Sequence, residues 1–236
     1  MRSFILYILQ CLIVFLASRY PSSLDALSAH VKEPGFPYAL CAFIFTLRHP
    51  NSDVPSTLHQ CPEFYGYIRV FHSATVRFYA PSDLCGTGGM HRKQIRANPK
   101  WSDGPRYDTV FVSMDESSKG MEGLMVAQIC LLFSFLEPKT CTEYSCALVC
   151  WFPCTDIHPD ESAELWVVKP EQLPRAHSSY PVQVINLNTI MRGAHLLPCF
   201  GSGFLPENFS YINALNAFVS YYINLYIDHH THELIR

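Results

Sequence analysis

YSCALVCWF, residues 144–152, is apolar at every position from Cys146 onward. On an extended chain successive side chains point to opposite faces, so Cys146, Leu148, Cys150 and Phe152 lie on one side and Ala147, Val149 and Trp151 on the other. The stretch reads as a strand that is hydrophobic on both faces. Its thiols belong to a denser set, Cys141, Cys146, Cys150 and Cys154, which lacks the CxxC spacing that wraps zinc. At ~3.3 Å per residue, Cys146 and Cys150 sit ~13 Å apart, beyond the reach of one metal ion or one disulfide. They read as small buried hydrophobes.

Runs of similar character surround this strand. Residues 66–80 (GYIRVFHSATVRFYA), 107–114 (YDTVFVSM), 123–135 (GLMVAQICLLFSF), 164–168 (ELWVV) and 182–187 (VQVINL) are rich in β-branched and aromatic residues and are separated by Pro, Gly, Ser and Asp. Successive strands without long helices between them predict an antiparallel meander closing into a small barrel. Before them, residues 1–60 read as a helical lead-in. Helix-like runs cover 4–17, then 22–32 with Ser22 or Ser23 as cap and Leu24, Leu27 and Val31 on one stripe, then 36–48. The Pro-rich stretch RHPNSDVPSTLHQCPEF reads as a linker. Residues 61–236 form the predicted barrel domain, ending in a helix over Pro206–Asp228 whose stripe is Phe209, Ile212, Leu215, Phe218 or Val219, Tyr222 and Tyr226. The expected class is α+β.

The first residues admit two readings. MRSFILYILQCLIVFLAS has a basic residue, an apolar run from Phe4 to Ala17 and small residues after it, the order of a secretory signal or anchor within residues 1–18. It is short for a membrane span of ~20 residues. The other reading is a buried helix. Composition is that of a folded chain: 49% hydrophobic and 16% charged over 236 residues, enough for a sizeable core. A net charge of −3 supplies no global attraction for nucleic acid, so any such contact must be local.

One local candidate exists. Arg92, Lys93, Arg96, Lys100 and Arg106 accumulate beside Trp101 and Tyr107, with Asp103 the one acid before Arg106. Such a patch can grip a phosphate backbone or an acidic peptide, but a solvated loop is the commoner source of this composition. The preceding CGTGGMHRK, Cys85–Lys93, lacks the GxxxxGK[ST] spacing that encloses a triphosphate and reads as a flexible turn around Gly86, Gly88 and Gly89. The ending YIDHHTHELIR suggests a metal site, with His229, His232 and Glu233 as candidate ligands. On a continuing helix Asp228 faces His232 and His229 faces Glu233, which is half a zinc site without the HExxH order. It reads instead as the exposed finish of a packing helix. FGSGF around Ser202 is not a nucleophile elbow, NFS at Asn208 is a glycosylation acceptor only in a secreted chain, and Asp108, Asp115, Asp156 and Asp160 assemble no acid/base pair. No catalytic residue, cofactor or small-molecule substrate is implied.

The run CPEFYGYIRVFHSATVRFYAPSDLCGTGGMHRKQIRANPKWSDGPRYDTVFV, then CALVCWF, WVVKPE, INLNTIMRGAHLLPCFG, FLPENF and YYINLYIDHHTHE, resembles the C-terminal region of transposon-encoded proteins of mushroom-forming fungi, of the Plavaka and KDZ transposase type. GPRYDTVFV and IMRGAHLLP are its most specific phrases. The resemblance implies a noncatalytic accessory domain in the nucleus, in contact with DNA or chromatin proteins, cut from a larger protein whose RNase H-like domain is not in this chain. The barrel is also similar to the SH3-like barrels of bromo-adjacent homology (BAH) domains. The contrasting expectation is a secreted or membrane-anchored fungal protein, held in the membrane only if Phe4–Ala17 is a true anchor.

Overall fold

The structure is a computed structural model that describes residues 10–16, 20–80, 88–102, 104–171, 181–201, 205, 207 and 209–236. In chain order its elements are β1 (Gln10–Leu16), α1 (Leu24–Val31), α2 (Phe36–Arg48), β2 (Ile68–Tyr79), β3 (Met90–Trp101), β4 (Gly104–Tyr107), β5 (Thr109–Ser113), β6 (Leu124–Glu137), β7 (Thr142–Phe152), β8 (Val167–Val168), β9 (Val182–Asn186), β10 (Ile190–Gly193), β11 (Leu196–Pro198), β12 (Tyr221–Ile223) and α3 (His229–Ile235). The fold is α+β: a mostly antiparallel sheet curled into a half-barrel, with three α-helices among the described residues.

β6 organises the sheet. Along one edge it pairs β7 from Val126↔Phe152 to Glu137↔Thr142. Its other edge is shared, by β5 in the first half (Val110↔Ala127) and by β2 in the second (Val70↔Phe133). Two strands leaving one edge must diverge, and a bulge in β6 between Ile129 and Leu131 adds local twist, so the sheet curls. β2 runs on past β6 to pair β3 (Ala74↔Ile95) and β1 (Ile13↔Ala74), while β9 extends the β7 edge and β10 the β5 edge. β11, β12 and β8 form a separate three-stranded sheet.

β7 contributes to three apolar clusters, as its two-faced sequence requires. Ala147, Val149 and Trp151 join Val76, Ile95, Val112 and Ile129 inside the curl. Cys146 and Leu148 face α1 and α2, packing with Leu27, Phe36, Leu40 and Ile44. Phe152 packs with Phe111, Val168, Tyr221 and Ile235 under the small sheet and α3. Cys146 is fully buried and Cys150 nearly so, in keeping with their reading as apolar residues. α1 and α2 fall where the stripes and Pro37 put them, and both pack directly on the barrel wall.

Three expectations are overturned. Where a helix over 4–17 was expected, Gln10–Leu16 is a strand paired to β2, and the rest of that run lies outside the described residues. A short apolar run such as LIVFL suits either state, and the available edge of β2 decides. The predicted turn and loop over Met90–Trp101 is a twelve-residue strand in which Ile95 and Ala97 point inward between polar neighbours. The helix over Pro206–Asp228 is replaced by a 3-10 turn, Tyr211–Asn216, and by β12. The Tyr221 hydroxyl donates to the Ala214 carbonyl at 2.9 Å, folding that turn onto the strand. Asn213, Asn216, Ser220 and Asn224 give the segment little helix propensity to resist this. Ser202 and Asn208 lie outside the described residues.

One glycine secures the C-terminal helix. Gly120 has φ +56, and a Cβ there would lie 2.5 Å from the Ile235 carbonyl oxygen. Gly120→Ala is expected to cost about 1–3 kcal/mol through left-handed strain and displacement of α3. A urea midpoint unchanged from the parent chain would refute that close approach.

Candidate nucleic-acid interface

The basic patch falls on one strand pair. β3 carries Arg92, Lys93, Arg96 and Lys100, and β4 carries Arg106, joined by Asn98↔Arg106. Alternation divides them. Lys93 pairs across to Val76 on the inward row, whereas Arg92 and Arg96 lie opposite Arg77 and Ser73 on the outer face. β3 pairs β4 only from Ala97 onward. The edge of β3 before that point therefore borders the unclosed seam of the half-barrel. An open groove of about 570 Å³ runs there, with Arg92, Arg96 and Arg106 on one side, His195 and Leu196 on the other, and Leu215 and Ile227 among its apolar lining.

Charge along the groove is unevenly satisfied. The Arg106 Nε donates to Asp108 Oδ1 at 2.8 Å, and Lys93 Nζ donates to Asp228 Oδ2 at 2.8 Å. The Arg96 guanidinium lies 4.4 Å from the Trp101 ring centroid, and that of Arg106 lies 5.9 Å from it. This cation–π stacking holds two planar donors side by side without consuming their charge. Arg92, Arg96 and Lys100 have no acidic partner among the described residues. Arg77 and His195 are additions that a linear pattern does not show, because they join the patch through strand pairing and the seam.

The histidine-rich ending is built differently from expectation. Asp228 does not face His232; it caps α3, accepting from the Thr231 backbone N–H and from the Thr231 hydroxyl, both at 2.8 Å. Arg192, fully buried on β10, clamps the same carboxylate through both terminal nitrogens and also meets His230 Nδ1 at 2.8 Å. The guanidinium lies 5.0 Å from the Phe78 ring centroid, and His230 stacks on that ring at 4.8 Å. His230 is therefore buried in a charged cluster at one end of the curl, not exposed on a helix finish. Burial alone would raise the Asp228 pKa, but hydrogen bonds from Arg192, Lys93 and Thr231 outweigh it and hold the carboxyl far below the usual range. Burial, then the neighbouring Arg192 charge, push His230 down to about 4.

As for metal, His229 and Glu233 form an exposed pair at 3.4 Å. No group of three or more His, Cys, Asp or Glu among the described residues is disposed to hold an ion. No helix among them is long and apolar enough to cross a membrane. No family model, curated protein or solved structure matches this chain. The functional reading therefore rests on the seam and its cations.

Proposed function

We propose that the chain is a noncatalytic interaction module that holds nucleic acid along the open seam, with Arg92, Arg96, Lys100 and Arg106 as the phosphate-facing groups. The observation that carries this reading is the juxtaposition of three groove-lining arginines with a Trp101 stack in a chain whose net charge is −3. Against that acidic background, cations gathered at one groove mark a local rather than a bulk electrostatic role. The resemblance to Plavaka and KDZ transposon proteins supports a nuclear accessory role, and the curled sheet suits an SH3- or BAH-like barrel.

Salt-dependent binding tests it. Phosphate contacts release counterions, so affinity for duplex DNA is expected to fall with salt at a log–log slope of about −0.9 per phosphate neutralised. Arg92→Glu with Arg96→Glu is expected to weaken binding at least about tenfold near 0.1 M salt and to flatten that slope by about two contacts' worth. Lys93 is left intact because its charge serves Asp228. Fluorescence anisotropy with a labelled duplex reads both quantities. Binding that is absent in the parent chain, or indifferent to the double reversal, sinks the reading.

A further inference from the structure

A second cavity, about 340 Å³, opens between the end of α1 and the barrel wall. Two thiols meet in its lining. Cys130 is the extra residue of the β6 bulge, between Ile129↔Val149 and Leu131↔Leu148, and Cys150 lies on β7 opposite Gln128. The bulge lets Cys130 share the outer face with Leu131, where it packs against the cluster containing Cys146 and Leu148. Its Sγ comes 3.3 Å from that of Cys150, the one thiol pair in hydrogen-bond contact among the described residues. Closing this gap to the ~2.05 Å of a disulfide asks for about 1.3 Å of movement, within the reach of two side chains on neighbouring strands. Cys130 is half-buried whereas Cys150 is buried, so a reagent entering the cavity meets Cys130 first.

We propose that Cys130 and Cys150 form a thiol-modification site, which a low-molecular-weight disulfide of the glutathione class converts into an inter-strand disulfide. The Cys130 sulfur loses its proton and bonds to one sulfur of the reagent, whose S–S bond breaks and releases a first thiolate that takes up the proton. The Cys150 sulfur then attacks Cys130, the mixed disulfide breaks, and a second thiolate leaves with the Cys150 proton. Two protein thiols are oxidised and one reagent disulfide is reduced to two thiols. The hydrogen bond to Cys150, and then burial, raise the Cys130 thiol well above its ordinary value, so the first step is slow at neutral pH. Glu33, Tyr20 and Tyr107, which line the same cavity, are also shifted upward by burial.

The test incubates the full chain with oxidised and reduced glutathione in mildly alkaline buffer, then unfolds it, blocks remaining thiols with N-ethylmaleimide and maps the peptides by mass spectrometry. The expected result is a peptide pair linking Cys130 to Cys150, with neither of these two thiols alkylated, while in Cys150→Ser Cys130 carries glutathione instead. Exposed Cys141 reports that the reagent is active. Glutathione on Cys141 with Cys130 and Cys150 both alkylated, or a link from either to a different cysteine, overturns the proposal. Should Cys150→Ser fail to fold, the map of the parent chain decides alone.

Discussion

Arg192→Met is expected to lower the free energy of unfolding by about 3–5 kcal/mol, the cost of removing one partner from a buried ion pair. The guanidinium is fully buried and touches Asp228, His230 and the face of Phe78. Methionine fills the space but leaves a part-buried carboxylate with Lys93 and Thr231 alone. The penalty belongs to the stranded charge rather than to a lost attraction. Arg192→Met combined with Asp228→Ser, which keeps a capping oxygen for α3 and removes the charge, is therefore expected to regain at least half of the loss. Urea unfolding of the two variants reads both values. A single-variant cost under about 1 kcal/mol, or a double variant less stable than the single, would show that the clamp does not hold α3.

Acid is expected to unfold the protein from well above the carboxylate range. His230 titrates at about 4 in the fold and near 6.5 in the unfolded chain. Between those values the unfolded chain binds a proton that the native state refuses, so stability falls as pH falls from about 6.5 to about 4 and is flat for this group below that. At ~1.4 kcal/mol per unit the limb amounts to about 3 kcal/mol, with little solvent screening because His230 is 4% exposed. His72, lowered by burial, adds in the same sense.

A second limb follows lower down. Burial alone would raise Glu137, but hydrogen bonds from Arg48 and Thr140 outweigh it and bring it down to about 2. Its contribution is complete above its unfolded value near 4.3 and is lost as pH drops through 2. Asp228 acts in the same direction. Urea midpoints measured from neutral pH down to 4 should decline steadily in the parent chain, and His230→Asn should flatten most of that decline. An equal slope in the variant would place the sensitive group elsewhere.

Much of the barrel is legible in the residues. β2, β5 and β9 lie within predicted runs, and β6 and β7 overrun theirs by two residues each, because apolar and β-branched side chains recur where both faces of the strand are covered. α1 and α2 are legible because stripes, Ser23 and Pro37 mark them. β3 was not, since Met90–Trp101 holds four cations and a proline and signals solvent rather than pairing. The patch residues were visible, but which of them hold acidic partners was not: Lys93 pairs with Asp228, and half-exposed Arg106 with Asp108, through contacts made in the folded chain. The tail misled for the same reason, since its helical spacing was read without Arg192.

By itself the sequence determined that a β-rich core with buried thiols would form and that cations would gather near Trp101, because hydrophobic periodicity and local charge are properties of neighbouring residues. Only the tertiary structure decided that the β6 bulge brings Cys130 to Cys150, that the seam stays open beside Arg92 and Arg96, and that Asp228 and His230 are drawn into the end of the curl. Those three facts depend on strand register and on pairs from 20 to 135 residues apart, where contact is set by how the sheet curls and not by any spacing along the chain.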